Sequence, residues 1–302
     1  MSVGFNKKLI EALLCQKDNS PIEIENIESG DDNVIFSGSL KCSSCNQSYQ
    51  IKNGILNFLS SQADLPDVMK DEIEARNKEA GIYDERLSVR YHKEVPSTLK
   101  TIGDLEGKKV IEYGCGTGRL TKYLADECGL ILANDFSLES LFILGQKLAG
   151  KKNVGLILAD SVQLKTREKY FDIACSFQFL EHVPTSGQRA NFINNTYDTL
   201  TNDGISVSTV YHFDLRRQKN KQSIEGMHNS GIFFHYFTSP EIETEFKKYF
   251  AKVDLRPIDI TLPMEARLKL SVKLAGALSR FFENIPYINK LGHLLIIKAK
   301  KE

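Results

Sequence analysis

Residues 110–120 read VIEYGCGTGRL, an apolar run with one acid, followed by glycines at every second position. Glycines this closely spaced after a strand indicate that a ligand lies against the backbone of the turn. On both sides of this stretch, short apolar runs alternate with segments of helical periodicity. The runs that predict strands lie at 109–113, 129–134, 153–159, 170–177, 204–211, 251–255 and 292–298. The pattern predicts an α/β fold with an open seven-stranded sheet and helices on both faces.

The spacing of the glycine loop narrows the class of ligand. A dinucleotide-binding loop usually reads GxGxxG, whereas Gly114, Gly116 and Gly118 form the shorter GxGxG. A triphosphate-binding loop would continue with Lys and then Ser or Thr, but Arg119 and a leucine follow here. Glu112 stands just before the loop, where its negative charge opposes a pyrophosphate and suits an amino-bearing ligand.

Two further acids end the second and third apolar runs. Asp135 in LILANDFS lies nineteen residues after Gly116, where a carboxylate can accept hydrogen bonds from two ribose hydroxyls. Asp160 in LILADSVQL is placed to accept from an exocyclic amine such as that of adenine. Each acid alone is equally consistent with an ordinary turn residue. The ordered set favours an amino-acid-bearing nucleoside.

These motifs together resemble class I S-adenosylmethionine (SAM)-dependent methyltransferases, specifically the small-molecule group similar to the ubiquinone and menaquinone methyltransferases. The matching stretches VIEYGCGTG, ANDFS, LADSVQL, FDIACSFQFLEHV and LTNDG cover roughly residues 105–210. The resemblance implies a Rossmann-like methyltransferase sheet with SAM as cofactor. By this resemblance, Gly114, Cys115, Gly116 and Thr117 are expected near the methionine part of the cofactor. Asp135 and Phe136 are expected at the ribose and adenine, and Asp160 and Ser161 at the edge of the base. Glu112 and Phe177 complete the expected cofactor-binding residues.

His182 is the candidate catalytic residue. A sulfonium methyl group is already activated, so the enzyme mainly aligns the acceptor and excludes water. A hydroxyl acceptor would need a base, and His182 follows the fourth predicted strand, with Glu181 placed to orient it. The alternative is a histidine that caps or packs under the following helix. Ubiquinone-type enzymes carry ExxEH here around a divalent metal, but Gln178 replaces the first carboxylate, which disfavours a metal at this site.

A long segment separates the fifth predicted strand from a helix that is expected to begin at Ser239. It spans 211–237 and reads YHFDLRRQKNKQSIEGMHNSGIFFHYF. Loops in this position cover the acceptor in the family that the chain resembles. Its basic and aromatic residues suit an anionic or aromatic acceptor, and the alternative is a solvated insert with a few packed rings.

The first sixty residues have a different character. LLCQKD, LKCSSC and YQIKNGILNFL resemble the zinc-ribbon-like domain of the tRNA methyltransferase activator family, whose pattern is LxCPxC, LxCxxC and YPIxxGIPxLL. Asp18 stands where that pattern has a thiolate. Zinc also accepts a carboxylate oxygen, so Cys15, Asp18, Cys42 and Cys45 are candidate ligands of a structural zinc ion. The alternative is a metal-free ribbon.

The chain is therefore expected to comprise a zinc-ribbon-like module at 1–62, a helical linker with substrate-side helices at 63–105, and a methyltransferase domain at 106–302. Two helices are predicted before the main sheet, from Val68 to Ala80 and from about Ser88 to Ile102. Near the end, MEARLKLSVKLAGALSRFF is apolar on one side and basic on the other. A helix packed between the last two strands is favoured, and a peripheral membrane contact remains the alternative.

Composition limits the partners. Lys plus Arg and Asp plus Glu are equal at 39 each in 302 residues, which disfavours nucleic acid. Six scattered cysteines and the absence of an apolar leader favour a reduced, cytoplasmic setting. The leading hypothesis is a SAM-dependent methyltransferase for a small-molecule or lipid-like acceptor, at oxygen or nitrogen. The alternatives are an RNA or protein methyltransferase that uses the ribbon for binding, and a non-catalytic partner subunit with the same fold.

Overall fold

A computed structural model describes residues 3–59, 67–86, 88–262, 265 and 270–302. In this part of the chain the strands are β1 Phe5–Asn6, β2 Ile22–Gly30, β3 Val34–Cys42, β4 Ser48–Lys52, β5 Ile55–Asn57, β6 Lys109–Tyr113, β7 Leu130–Asp135, β8 Val154–Leu158, β9 Phe171–Phe177, β10 Leu200–Tyr211, β11 Glu225–Met227, β12 Phe233–His235, β13 Lys252–Ile260 and β14 Gly292–Lys300. The helices are α1 Asp67–Arg86, α2 Ser88–Ile102, α3 Thr121–Glu127, α4 Leu138–Lys147, α5 Ser186–Thr199, α6 Leu215–Lys219, α7 Ser239–Lys247 and α8 Val272–Phe282.

The seven predicted strands form one sheet. Their order is β8-β7-β6-β9-β10-β14-β13, and β14 runs antiparallel to both of its neighbours while the other pairs are parallel. The strand order reverses at β6, because β7 lies on one side of it and β9 on the other. Connections leave such a point in opposite directions, so a crevice opens at the carboxyl ends of these strands.

The sheet is buried on both faces, as its uninterrupted apolar runs predict. Neighbouring residues along a strand belong to different core clusters: Ile111 and Leu132 lie in one, and Val110 and Ile131 in the other. Side chains alternate between the two faces of a strand, so each cluster is the core on one side of the sheet. The predicted fold class is confirmed.

The N-terminal strands continue the same sheet. β5 pairs in parallel with β8, β4 pairs with β5, and β3 pairs with β4. On its other side β3 pairs with β2, which is therefore the outer strand. The β-rich character predicted for this segment is present, and its strands lie in hydrogen-bonded register with the main sheet. The division of the chain into domains at 62 and 105 stays a prediction.

The helices before and after the sheet follow the pattern read from the sequence. α1 and α2 occupy the two predicted segments, and α8 lies between β13 and β14 with Ala275, Gly276 and Ser279 buried. Residues 263, 264 and 266–269 of the predicted amphipathic stretch lie outside the described part of the chain. Leu274 and Phe281 of α8 are exposed, and a membrane contact stays a prediction. Among the described residues, no helix combines the length and apolarity needed to cross a bilayer.

The packing of the N-terminal segment on β8 can be tested at Gly155. A Cβ there would lie 2.8 Å from Leu9 Cδ1 and 2.9 Å from the Phe5 ring, both of them buried. We expect Gly155→Val to lower the free energy of unfolding by about 1–3 kcal/mol, because the ring and the leucine must move. The measurement is chemical denaturation.

The matched control is Gly187→Ala in α5, where no atom lies within 4 Å of the new Cβ. Its stability should stay within about 0.5 kcal/mol of the parent. Equal stability of the parent and Gly155→Val would contradict this packing.

Candidate active site

A cleft lies at the carboxyl ends of β6, β7 and β9, where the strand order reverses. Its volume, including the open mouth, is about 760 Å³. The residues that line it are Arg76, Ala80, Glu112, Gly114, Cys115, Gly116, Thr117, Arg119, Leu120, Asp135, Phe136, Ser140, Phe177, Gln178, Phe179 and His182. The cleft thus contains eight of the ten predicted cofactor residues and the predicted catalytic histidine.

The glycine loop needs glycine for two different reasons. Gly114 has a φ of +66°, and a Cβ there would also lie 2.7 Å from the Phe179 ring. Gly116 has a φ of +52° but no atom within 4 Å of a Cβ, so only its backbone conformation requires glycine. Burial raises the pKa of the Cys115 thiol well above its usual range, which fits a small loop residue and not a nucleophile.

The side chain of Glu112 lines the cleft, and one of its carboxylate oxygens has no hydrogen-bond partner. Its side chain is 2% exposed, and Oε2 has no hydrogen-bond partner. Burial raises the pKa of Glu112 to about 8, opposed by Thr121 and Arg119. A buried acceptor without a donor is costly, so this oxygen marks the place for a donor from a ligand.

Asp135 ties the glycine loop to the end of β7. Its Oδ2 accepts from the Gly116 N–H at 2.8 Å, and its Oδ1 accepts from the Ser137 N–H at 2.8 Å. Each carboxylate oxygen keeps a second lone pair, so Asp135 can still accept from a ligand hydroxyl. The sequence did not indicate this second, structural role of the aspartate.

Asp160 and Ser161 lie at the end of β8 and are not part of the cleft wall. Asp160 accepts from the Val162 N–H at 2.9 Å and from the Gln163 side chain at 3.0 Å, as a turn residue does. Ser161 donates to the side-chain oxygen of Asn134 at 3.2 Å. Their assignment to the base edge stays a prediction.

A buried polar network under the cleft was not predicted. Arg119 forms an ion pair with Glu94 of α2 at 2.8 Å, with 7% and 0% of the side chains exposed. Gln178 donates to the same glutamate at 2.9 Å, and Thr209 does so at 3.4 Å. Arg119 carries a signal in the sequence, since it follows the glycine loop directly. Glu94 carries none, because an acid in a helix of mixed charge usually faces solvent.

His182 lies in a short 3-10 turn after β9, at the rim of the cleft. Its Nδ1 lies 2.7 Å from the carbonyl oxygen of Phe233. A carbonyl only accepts, so Nδ1 carries the proton and Nε2 keeps its lone pair. Burial, aided by the charge of Arg76, holds the pKa of His182 well below its usual range. The ring is therefore a neutral base at physiological pH.

Glu181 does not orient this histidine, contrary to the expectation. It is fully buried, and neither carboxylate oxygen has a hydrogen-bond partner. Burial raises the pKa of Glu181 to about 8. The carbonyl of Phe233, which lies fifty-one residues further along the chain, takes the orienting role instead.

A second, open cavity adjoins the first, with a volume of about 1350 Å³ that includes the solvent at its mouth. Arg76 and His182 line both of them. The remaining residues of its wall are Tyr211, Gln222, Ser223, Met227, His228, Asn229, Ser230, Ile232, Phe234 and Tyr236. None of these described lining residues is an acid, so the wall carries one arginine, two histidines and several aromatic rings.

The insert 211–237 supplies most of this wall, and its role in covering an acceptor stays a prediction. Its two arginines are used elsewhere. Arg217 pairs with Asp214 at 2.8 Å, and Arg216 donates to the carbonyls of Thr261 and Leu291 at 2.8 and 2.5 Å. The positive charge at the cavity therefore comes from Arg76 of α1, which was not predicted and which pairs with Glu72 at 3.5 Å.

The four candidate zinc ligands meet at the end of the β3–β4 hairpin. One ligand atom from each of Cys15, Asp18, Cys42 and Cys45 lies within 4.8 Å of all the others. The Cys15 and Cys45 sulfurs are 3.6 Å apart, and Cys42 Sγ is 3.4 Å from Asp18 Oδ1. A tetrahedral zinc with Zn–S bonds of about 2.3 Å would separate two sulfurs by roughly 3.8 Å. The cluster has the donor types and spacing that zinc requires.

Residues 111–208 match the family described as "Methyltransferase domain". Two plant proteins are similar to part of this chain. Phosphoethanolamine N-methyltransferase 1 of Arabidopsis thaliana is 35% identical over 108 residues, 35% of this chain and 22% of that protein. Phosphoethanolamine N-methyltransferase of Triticum aestivum is 37% identical over 83 residues, 27% of this chain and 16% of that protein. The chain spans about a fifth of the length of these curated relatives.

Two solved structures share the fold. Phosphoethanolamine N-methyltransferase 1 of Haemonchus contortus, in complex with phosphoethanolamine and S-adenosylhomocysteine, has a TM-score of 0.53 and 16% identity, and the match covers 80% of this chain and 51% of that chain. A SAM-dependent methyltransferase from Mesorhizobium loti has a TM-score of 0.50 and 16% identity, covering 68% and 96% of the two chains. The matched segment and the fold are those of a class I SAM-dependent methyltransferase domain, as predicted. The narrower resemblance to the ubiquinone group and the zinc-ribbon resemblance stay predictions.

Proposed function

We propose that this protein transfers a methyl group from SAM to the amino group of a small molecule that also carries an anionic group. The observation that carries this proposal is the meeting of two cavities at Arg76 and His182. The first would hold the cofactor and the second the acceptor. A base with a free lone pair then stands at their junction, where the methyl group is transferred.

The cofactor assignment rests on what the first cavity offers. The unpartnered Oε2 of Glu112 would accept from the ammonium of the methionine moiety, beside the backbone of Gly114, Cys115, Gly116 and Thr117. Asp135 would receive the ribose hydroxyls, and Phe136 and Phe177 would contact the nucleoside. Asp160 and Ser161 are proposed at the base edge. When bound, the cofactor supplies an electrophilic methyl group on a sulfonium.

The second cavity supports the choice of acceptor. No acid stands among its described lining residues, and Arg76, which also pairs with Glu72 at 3.5 Å, lies at the junction, so the cavity suits an anionic group. The faces of the aromatic rings suit a cationic amine. Tyr211, Phe234 and Tyr236 form a ring cluster there, with centroids 4.9–5.9 Å apart. The relatives are named for phosphoethanolamine, an amine that carries a phosphate, which agrees with this chemistry.

The chain contributes positioning and one proton transfer. The acceptor's amine must be uncharged to attack, and His182 Nε2 is available to take its proton because Nδ1 is committed to Phe233. Aromatic side chains around the junction exclude water, and Arg76 would pair with the anionic group of the acceptor. The first carboxylate of the metal-binding pattern is absent, because residue 178 is a glutamine, and its side chain donates to Glu94.

Cofactor binding should release a proton from Glu112. This carboxyl is protonated at neutral pH, whereas its pairing with an ammonium favours the carboxylate. Affinity for S-adenosylhomocysteine should therefore rise by up to about tenfold per pH unit between about pH 6 and about pH 7.5. Calorimetry in buffers of different ionisation enthalpy measures the released proton directly.

Two variants and one control sharpen this measurement. Glu112→Gln should abolish the proton release, and Asp135→Ala should weaken binding by roughly 10–100-fold through the loss of charged hydrogen bonds. The exposed acid in Asp126→Ala, on the far end of α3, should leave binding unchanged. An absence of binding at millimolar ligand, or unaltered binding by both cleft variants, would refute the cofactor assignment.

Loss of the proposed base should slow the chemical step. We expect His182→Ala to lower kcat by about 10²–10⁴-fold with phosphoethanolamine or its N-methylated forms as trial acceptors. His92→Gln, at an exposed histidine, is the control. In the parent, kcat at saturating cofactor should persist well into acid, because the depressed pKa keeps the ring neutral. An alanine variant at the full rate would remove His182 from the mechanism, and turnover only in RNA, protein or lipid fractions would replace the acceptor class.

We also propose that Cys15, Asp18, Cys42 and Cys45 bind one structural zinc ion. Purified protein should contain about one equivalent by elemental analysis, and Cys42→Ser should lose it together with thermal stability. Cys128→Ser, at a buried cysteine remote from the cluster in sequence, is the matched control and should retain the metal. A parent protein free of metal after purification without chelators would refute this site.

A further inference from the structure

The β11–β12 hairpin forms part of the second cavity's wall. Met227 and Phe234 of this hairpin line the cavity, and the carbonyl of Phe233 holds His182 Nδ1 at 2.7 Å. Apart from its own two-stranded pairing, the hairpin has no hydrogen-bonded strand neighbour among the described residues. Backbone bonds of Phe237 to Tyr211 and Phe213, both 2.8 Å long, fix the chain just after β12. The rest of the hairpin is held by the side-chain contacts that it makes.

One such contact joins the hairpin to α7 through His235. The ring is 6% exposed. Its Nδ1 lies 3.2 Å from Glu225 Oε2 on β11, and its Nε2 lies 2.7 Å from Glu241 Oε1 on α7. Glu241 is itself fixed by a capping box with Thr238, which makes Thr238 the N-cap of α7, one residue before the predicted Ser239.

The two contacts dictate the charge of the ring. Ionised carboxylates only accept hydrogen bonds, so both nitrogens of His235 must carry protons when both glutamates are charged. A neutral imidazole has one proton and would leave one carboxylate facing a lone pair. The geometry thus describes a histidine cation held between two acids.

The surrounding charges agree with this reading. The charged residues around the His235 ring come from three elements. They are Glu241 and Glu245 on α7, Glu225 on β11 and Arg189 on α5. Arg189 opposes the positive ring, but it pairs with Glu245 at 3.5 Å. Although burial favours the neutral ring, the bonds to Glu241 and Glu225 raise the pKa of His235 above its ordinary value.

We propose that protonated His235 is a positioning residue that fastens the β11–β12 hairpin to α7 and so holds the acceptor-side wall and the Phe233 carbonyl against His182. The proposal rests on the proposed function only in taking the second cavity as the acceptor site. The hairpin is closed while the ring is charged and loosens when the ring loses its proton.

The direction of the pH effect follows from the sign of the shift. A group whose pKa is raised in the folded state stabilises that state at low pH, and this contribution is lost as the pH rises through the folded pKa. Closure of the hairpin is therefore complete near pH 6 and declines above neutrality. The acceptor's KM should rise on the alkaline side, while kcat, once the acceptor is bound, should change less.

Hydrogen exchange tests the closure without any substrate. The reporter amides are those of Phe237 and Phe213, which bond to the carbonyls of Tyr211 and Phe237 and so join the end of the hairpin to the end of β10. Their protection factors, corrected for the intrinsic rate, should fall by about tenfold between about pH 6 and about pH 9, the effect of losing one charge-assisted hydrogen bond. Imidazole NMR should place the pKa of His235 above about 6.5, the ordinary value.

A conservative variant separates positioning from mere packing. In Glu225→Gln the amide can donate to an unprotonated Nδ1 while Nε2–H still donates to Glu241, so no extra proton is needed. Protection should then be independent of pH. Glu225 is 57% exposed, so the variant should fold, and His92→Gln should behave as the parent.

The outcomes are decisive in either direction. A pKa of His235 below the ordinary value, or hairpin protection that does not change with pH in the parent, would overturn the proposal. Because exchange is measured without cofactor or acceptor, failure of the methyltransferase proposal would appear separately, as absent S-adenosylhomocysteine binding or absent turnover. A pH-dependent KM that survives in Glu225→Gln would assign the effect to another group and also overturn it.

Discussion

The buried ion pair between Arg119 and Glu94 connects the parts of the chain that make the cleft. Arg119 follows the glycine loop, Glu94 lies on α2, and Gln178 and Thr209 bring the ends of β9 and β10 to the same carboxylate. Taking both charges out of water is costly, and removing either partner would leave the other stranded. The loop, the helix and the two strand ends are therefore held in one arrangement, and the cleft inherits its shape from it.

Most of the sheet could be predicted from the sequence because its signals are local. Uninterrupted apolar runs mark buried parallel strands, and all seven runs are strands in the structure. The glycines before Arg119 mark the turn in the same way, since Gly114 and Gly116 adopt conformations that other residues rarely reach. The zinc candidates were also brought together as expected, although Asp18 broke the familiar pattern.

What could not be predicted depends on contacts between segments far apart in the chain. Glu94 looks like a surface acid, and nothing near it in sequence says that it meets an arginine of the glycine loop. His182 was expected to rely on its neighbour Glu181, but the fold gives that task to the carbonyl of Phe233. Asp160 also has a local role, because it accepts hydrogen bonds from Val162 and Gln163. Sequence patterns locate the cleft, whereas tertiary contacts decide which side chains work in it.

The N-terminal strands have one more consequence, which concerns association between molecules. Without them, β8 would end the sheet with a fully apolar strand whose backbone groups are free on one side. With them, the outer strand is β2, where Glu23, Glu25 and Glu28 are exposed and no strand of the described residues pairs with the far edge. Negative charges along an edge repel a second strand, and natural proteins use them against aggregation. The N-terminal segment thus covers an apolar edge strand, which could pair with a strand of another molecule, with a strand whose acids oppose such pairing. This holds with or without a bound metal.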